Sequence, residues 1–490
     1  MIQRPKAFVL EDMALRVETG YDGGLFDVAL PEPLRDLPAD LGAIDELLRD
    51  DAMLAPFREH WVQEVKAGLI GSSRWGRPTI PMATYVRLMV LKHRYGWGYE
   101  SLAKEVTDSL HLRQFCGIPL HEEVPDESTV RKLTKRLGSE AVNELSRSLI
   151  KMATSERRIR LRAMRCDSTV VEADVKYPTD IGLVGNAVRV LVRTAKKLVA
   201  QLPEVTAKVR DRGRAVQTLM RTLSRALRRR SGDAKTEVER LTTEAANRLR
   251  ATVREAKRVL DQAKQAIEKM CLRSEFGETA TRLQQRLVAE LEKFLPRAER
   301  VREQVRLRFA NEKIKDRLVS MFDPDARPIR KGKLSTPTQF GSLVQVTELT
   351  ANTKRGARGL LLPATIQVGN PTENELLPGT VAQLELIDAG SNLKVAALDG
   401  GFTLNATRQA LAGTGAEVFI VGSKKNSGSR RHQRRLARYR VGAEGRISHL
   451  KRGYGLRRSR LKGEAGVQTW TAWAFLAYNL HTAAALPTRK

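Results

Sequence analysis

Apolar residues at Leu249, Val253, Ala256, Leu260, Ala263, Ile267 and Met270 step by 4, 3, 4, 3, 4 and 3. Leu283, Leu287, Leu291, Phe294, Ala298, Val301 and Val305 keep a similar spacing beyond Phe276-Gly277. This pattern predicts two or more long antiparallel helices with a narrow apolar seam, over a stretch (186–315) almost free of Gly and Pro. Its outer face is basic, as at Arg228-Arg229-Arg230. From 40 to 156 the pattern changes to short helices. Ile44, Leu47, Leu48, Met53 and Leu54 start one; Tyr85, Leu88 and Met89 sit on another, entered through Pro78 and Pro81 and ended by Gly96-Trp97-Gly98. Tyr99, Leu102, Ala103 and Val106 form one apolar face. Asp126 or Ser128 then caps a helix that carries Val130, Leu133 and Leu137 inward and Arg131, Lys132, Lys135 and Arg136 outward. Residues 1–39 read as an irregular leader.

Strand patterns flank the long helical stretch. Arg160 to Val171 alternates basic or polar with apolar residues and predicts a strand with Asp167 near its end. Phe340–Leu349 and Leu360–Val368 have strand composition, joined by a loop at Asn352–Gly356. Leu377–Ile387 reads as a helix, Leu393–Asp399 and Val418–Gly422 as buried strands. A basic loop from Ser423 leads into a helix bearing Glu444, and a last aromatic helix holds Trp470, Trp473 and Phe475. With the helical stretch set aside, this order matches a ribonuclease-H-like sheet. The expected architecture is therefore mixed α/β. A helical, helix-turn-helix-like DNA-binding domain (40–156) precedes an α/β core (157–185 and 316–490), which an antiparallel helical insertion (186–315) interrupts.

Charge narrows the partners. The formal net charge is +30, so a polyanion, nucleic acid above all, is expected. No run of 18 apolar residues and no signal peptide is visible, which argues against a membrane. The N-terminus carries Glu11, Asp12 and Glu18, so the cytoplasm, and with DNA as partner the nucleoid, is the expected location. Three scattered cysteines support neither a disulfide framework nor a zinc site. Gly332-Lys333 is followed by Leu and lacks the upstream glycine of a P-loop.

Against this basic background three acids stand out. Glu444 is the one acid between Lys424 and Lys462, among fifteen Lys and Arg. Asp167 and Asp399 each follow a short apolar segment, Arg162–Cys166 and Val395–Leu398. Phosphodiester transfer puts charge on attacking and leaving oxygens, and two hard cations about 3.5–4 Å apart stabilise both. Mg²⁺ takes oxygen ligands, so two strand-end aspartates sharing one metal and a helical glutamate completing the second position suit that chemistry. Glu172 is the rival for the first acid. Asp399-Gly400-Gly401 also reads as a turn. Arg440 and Lys451 lie on Glu444's helical face, where they would bind phosphate or merely offset its charge as a helical ion pair. Arg434 and Arg435 belong to the same basic run and would hold DNA.

Four segments together resemble the bacterial insertion-sequence DDE transposases. Cys166–Glu172 looks like that family's first-aspartate strand, and Leu398-Asp399-Gly400-Gly401-Phe402 like its second-aspartate motif. Arg440-x3-Glu444-x6-Lys451 has its R-x3-E-x6-K spacing, and Pro125–Thr129 with the basic helix resembles its N-terminal domain. A segment at Tyr177-Pro178-Thr179-Asp180 is similar to one in a subgroup. The tyrosine that some relatives place three residues before the arginine would fall at Ala437, with Tyr439 the nearest. The resemblance implies a ribonuclease-H-like core using Mg²⁺ or Mn²⁺, with Asp167, Asp399 and Glu444 as metal-binding catalytic acids. It also implies recognition of terminal inverted repeats in double-stranded DNA, joining to target DNA, and assembly into a homodimer or higher oligomer. The alternatives are a related metal-dependent nuclease and a catalytically inactive DNA-binding regulator.

Overall fold

The computed structural model describes residues 36–69, 80–228, 234–273, 280–330 and 337–486. Residues 1–35 of the expected leader lie outside these, as do Pro78, Arg229-Arg230, Phe276-Gly277 and Gly332-Lys333. Two units are present: the chain up to Asp174 together with Gly341 onward, and Val175–Phe340. Among the described residues no helix is long and apolar enough to cross a membrane.

The first unit begins with seven helices among the described residues: α1 (Ala39–Leu47), α2 (Asp51–Leu69), α3 (Met82–Arg94), α4 (Tyr99–Asp108), α5 (Leu110–Phe115), α6 (Glu127–Leu137) and α7 (Glu140–Ser155). Asp126 starts α6: its carboxylate accepts from the amides of Ser128 at 2.7 Å and Thr129 at 3.0 Å, satisfying first-turn donors. Val130, Leu133 and Leu137 are buried, and Arg131, Lys132, Lys135 and Arg136 stand exposed on the other face.

The central strand β1 (Ala163–Ala173) follows. The second unit then supplies α8 (Asp180–Gln201), α9 (Gly213–Ala226), α10 (Ala234–Arg273) and α11 (Arg282–Phe309). Helices α8, α10 and α11 pack on one another and α9 packs on α10. The expected narrow seam is wider than its spacing suggested. Ala245, Val259 and Leu295 are buried beside the seam residues because α8 brings a third apolar face, from Val184 to Leu198. Leu283, by contrast, is exposed. Asp180 is a structural acid of this unit, buried between Arg308 and Arg317.

The chain returns to the first unit with β2 (Gln339–Thr350), β3 (Leu360–Leu361), β4 (Thr365–Gln367), α12 (Glu373–Leu386), β5 (Val395–Leu398), α13 (Leu404–Ala410), β6 (Glu417–Ile420), α14 (Arg430–Gly453), β7 (Arg458–Ser459) and α15 (Gly463–Ala484). Strand β1 pairs antiparallel with β2 and parallel with β5, and β5 pairs parallel with β6. The second arm of the expected hairpin is split into β3 and β4, because Pro363 between them has no amide to donate. Asp167 is not near a strand end. It is the fifth of eleven residues, because pairing with β2 continues to Glu172.

Both faces of the sheet are covered, so nearly all of β1 is buried. Met164 and Cys166 point into one core; Ala163 and Val171 point to the other side, toward clusters that contain Leu436, Tyr439 and Leu450 of α14. This two-residue alternation puts Asp167 on the α14 face with Arg165.

Helix α15 joins the N-terminal helices to this core. Trp473 is fully buried, with ring centroids 6.3 Å from Phe57 and 5.7 Å from Tyr85. The described residues of 40–156 therefore share a hydrophobic core with the sheet.

Lys92 lies inside this junction. Its ammonium sits 4.0 Å over the Trp470 ring and 4.6 Å over that of Tyr99, beside the buried His93. Burial, with Arg460 adding repulsion, pushes its pKa down to about 7. Between about pH 7 and 10.5 the unfolded chain therefore binds a proton that the folded one does not, so this group's contribution to stability rises with pH through that window. Lys92→Met is expected to raise the thermal midpoint most below about pH 7, with the gain shrinking toward pH 10. Thermal denaturation of both proteins across that range checks it; a pH-independent difference would contradict it.

Candidate active site

Local structure brings four acids and one arginine together. Asp167 is buried on β1, and its Oδ1 accepts from the Ser168 amide at 2.8 Å. In the β1–β5 register Cys166 lies opposite Leu398, so Asp399, just past the end of β5, comes beside Asp167 in the middle of β1. Asp399 opens the turn that Phe402 closes with its amide on the Asp399 carbonyl, 3.2 Å away.

Glu373 was not singled out from the sequence. It is the first residue of α12, behind the capping box of Thr372 and Glu375. Ser168 Oγ donates to its Oε1 at 2.5 Å. Oxygens of Asp167, Glu373 and Asp399 all lie within 4.8 Å of one another. The Asp399 turn is pinned to α12 by Asn374, which exchanges hydrogen bonds with Thr403 at 2.8 and 3.1 Å. A Cβ at Gly401 would stand 2.5 Å from the Glu373 carboxylate, so the second glycine of Asp399-Gly400-Gly401 leaves room for this acid. The Thr372-x-x-Glu375 signature was legible as a helix start, but it does not point Glu373 to the acidic centre.

Arg440 closes the cluster from α14. It is 7% exposed, and its Nη2 reaches Asp167 at 3.0 Å and Asp399 at 2.8 Å, while Nη1 donates to Glu444 at 2.8 Å. One guanidinium thus bridges three carboxylates, on β1, after β5 and on its own helix. The two terminal nitrogens of Arg440 are engaged by carboxylates, the geometry of the offsetting ion pair, while its buried Nε has no hydrogen-bond partner. Glu444 is exposed and meets the aspartates through Arg440; the acids close enough to share one cation are Asp167, Glu373 and Asp399. Burial pushes the Asp167 carboxyl up to about 6; Arg440 opposes this, and Asp399 and Glu373 add to it.

The remaining sequence candidates lie around this centre. Glu172 pairs with Arg458 at 3.1 Å, outside the acidic cluster. Arg434 and Arg435 are exposed on the first turns of α14, and Arg435 bonds His432. Lys451 is half-buried near the end of that helix.

An acidic centre beside adjacent parallel strands, in a strongly basic mixed α/β chain, has the donor chemistry that a divalent cation and a nucleic-acid backbone call for. Comparison with known proteins narrows the reading. Residues 36–136 match the family model described as "Transposase domain (DUF772)", and residues 356–480 match "Transposase DDE domain". In chain order, these two stretches are thus similar to transposase domains. It is also similar to a Rhizobium meliloti protein described as "Uncharacterized protein ORF8 in nfe locus", 31% identical over 127 residues. That match covers 25% of this chain and 61% of the relative's length. No solved structure matches.

Proposed function

We propose that the chain is the DNA transposase of an insertion sequence, cutting at the element's ends and joining them to target DNA. The observation that carries this reading is the meeting of Asp167, Asp399 and Glu373 within 4.8 Å in a chain of net charge +30. We read the sheet with α12 and α14 as a ribonuclease-H-like core and residues 175–340 as an insertion into it.

The donor set fits a hard divalent cation: clustered carboxylate oxygens whose negative charge the single guanidinium of Arg440 offsets only in part. Asp167, Asp399 and Glu373 would hold Mg²⁺ or Mn²⁺, with Glu444 completing a two-ion site from α14. When bound, such ions stabilise charge on the attacking and leaving oxygens and lower the pKa of water. The protein's own part is placement. Asp167 and Asp399 are fixed by strand pairing and by the α12 clamp, and Arg440 turns from the acids to the phosphate being cut. Water first releases a 3′-hydroxyl, which then attacks target DNA. Lys451, Arg434 and Arg435 would lie along the DNA, and Arg131, Lys132, Lys135 and Arg136 of α6 would contact the terminal inverted repeats. A homodimer or higher oligomer at the nucleoid would pair the two ends.

The test is cleavage of a duplex carrying the ends that flank the gene, with Mg²⁺ and with a chelator. Cleavage at the ends only with Mg²⁺ is expected. Binding should also weaken steeply with salt, with a log–log slope of about −0.9 per neutralised phosphate. Binding without cleavage would favour the inactive regulator.

A further inference from the structure

Helix α14 presents a second face, turned away from Arg440 and Glu444. There Gly442 and Gly445 leave the helix surface bare. A Cβ at Gly442 would stand 1.9 Å from Arg165 Nη1, so this glycine lets the Arg165 guanidinium pass beneath the helix, where it donates to the Tyr439 carbonyl at 3.0 Å. A Cβ at Gly445 would meet nothing within 4 Å. Over this face opens a cavity of about 320 Å³, and no acidic residue lines it.

Two of its lining residues, Arg165 and Arg446, are held by Glu348, which lies beneath them and does not line the cavity. Arg165 and Arg446 both bond Glu348, which is 1% exposed, at 2.7 and 2.9 Å. Two guanidinium groups against one carboxylate leave one positive charge there. Arg358 and Arg452 add two more at the exposed rim, beside His449. His449 shares the cavity lining with Arg446, Arg358 and Arg452. The His449 pKa is lowered by burial first, and then by Arg446, Arg358 and Arg452.

We propose that this cavity is a second phosphate-binding site, in which Arg358, Arg446 and Arg452 hold a backbone phosphate of duplex DNA on the opposite side of α14 from the acidic centre. The helix between the two sites is about 10 Å thick. A duplex carries a negative charge about every 1.7 Å of its axis, so DNA engaged at the acids has other phosphates within that reach. The bare glycines admit a bulky phosphodiester close to the helix backbone, and the planar guanidinium forks match its oxygens. The site grips the backbone without reading sequence. This inference rests on the transposase reading only in taking the phosphate to be DNA's.

Carbethoxylation of His449, read by mass spectrometry on the full chain, tests it. A duplex of arbitrary sequence is expected to protect His449 strongly in the wild type. Gly445→Glu places a carboxylate at open space in the cavity wall, and should remove that protection and weaken duplex binding about tenfold. Gly445→Ala, with the same backbone change and no charge, should behave as wild type, which separates charge from misfolding. His449 modified equally fast with saturating duplex would overturn the proposal. Protection by inorganic phosphate but not by duplex would overturn the DNA assignment. Protection with no Mg²⁺-dependent cleavage would leave this site standing and refute the transposase reading; cleavage without protection would do the reverse.

Discussion

Asp167→Asn is expected to abolish Mg²⁺-dependent cleavage while leaving DNA binding and folding close to wild type. Asn keeps the shape of the side chain and can still accept from the Ser168 amide. It loses the charge that meets Arg440 Nη2 at 3.0 Å and that would hold a cation with Asp399 and Glu373. A metal-bound transition state is stabilised by several kcal/mol, and each 1.36 kcal/mol is tenfold, so a fall of about 10³ or more is expected. Glu373→Gln should also reduce the rate, because its carboxylate belongs to the same oxygen cluster. Glu172→Gln should not, since that side chain is engaged by Arg458 outside the cluster. Single-turnover cleavage beside a gel-shift titration measures both properties. Loss of cleavage in Glu172→Gln with retention in Asp167→Asn would invert the assignment of the first acid.

Glu348→Ala should be the most damaging change to stability away from the acidic centre. Glu348 is buried in the sheet beneath α14, where it accepts from Arg165 Nε at 2.8 Å, from Arg446 Nε at 3.0 Å and from the Gly359 amide at 2.9 Å. Removing it leaves two largely buried guanidinium groups beneath α14 without their counter-charge. Breaking a buried pair in this way costs about 3–5 kcal/mol, because the partner charge is left uncompensated. A thermal midpoint lower by roughly 10 °C in the first unit is expected. Double replacement of Arg165 and Arg446 by Met with Glu348→Leu should recover much of the loss. A midpoint within a degree or two of wild type in Glu348→Ala would show that water reaches the triad.

That Asp167 and Asp399 sit on or beside strands was legible because each follows a short apolar run, and these runs are neighbours, Cys166 opposite Leu398; that Asp167 lies in mid-strand was not. The parity that turns Asp167 toward α14 also follows from the alternation in 160–171. Glu373 was not legible as a site residue. It reaches the centre only through the fold, after two short strands and a capping box that mark it as a helix start and nothing more. The engagement of Arg440 was half legible: spacing of four gives its contact with Glu444, but its contacts with Asp167 and Asp399 depend on how α14 crosses the sheet. Pro363 announced the break in the hairpin arm, and the composition around it masked the signal. The burial of Trp473 against Phe57 and Tyr85 joins chain segments about 400 residues apart, a long-range contact that local periodicity does not encode.

The most direct measurement is strand joining with labelled DNA carrying the element's ends, in Mg²⁺, comparing wild type with Glu444→Gln. Glu444 is exposed and tied to the aspartates through Arg440, so its loss should leave folding intact and remove the joined product. Joined product in the wild type and none in the variant is the predicted result. Joining that proceeds equally well in Glu444→Gln would contradict the assignment of Glu444, and cleavage without joining in the wild type would replace the transposase reading with a nuclease.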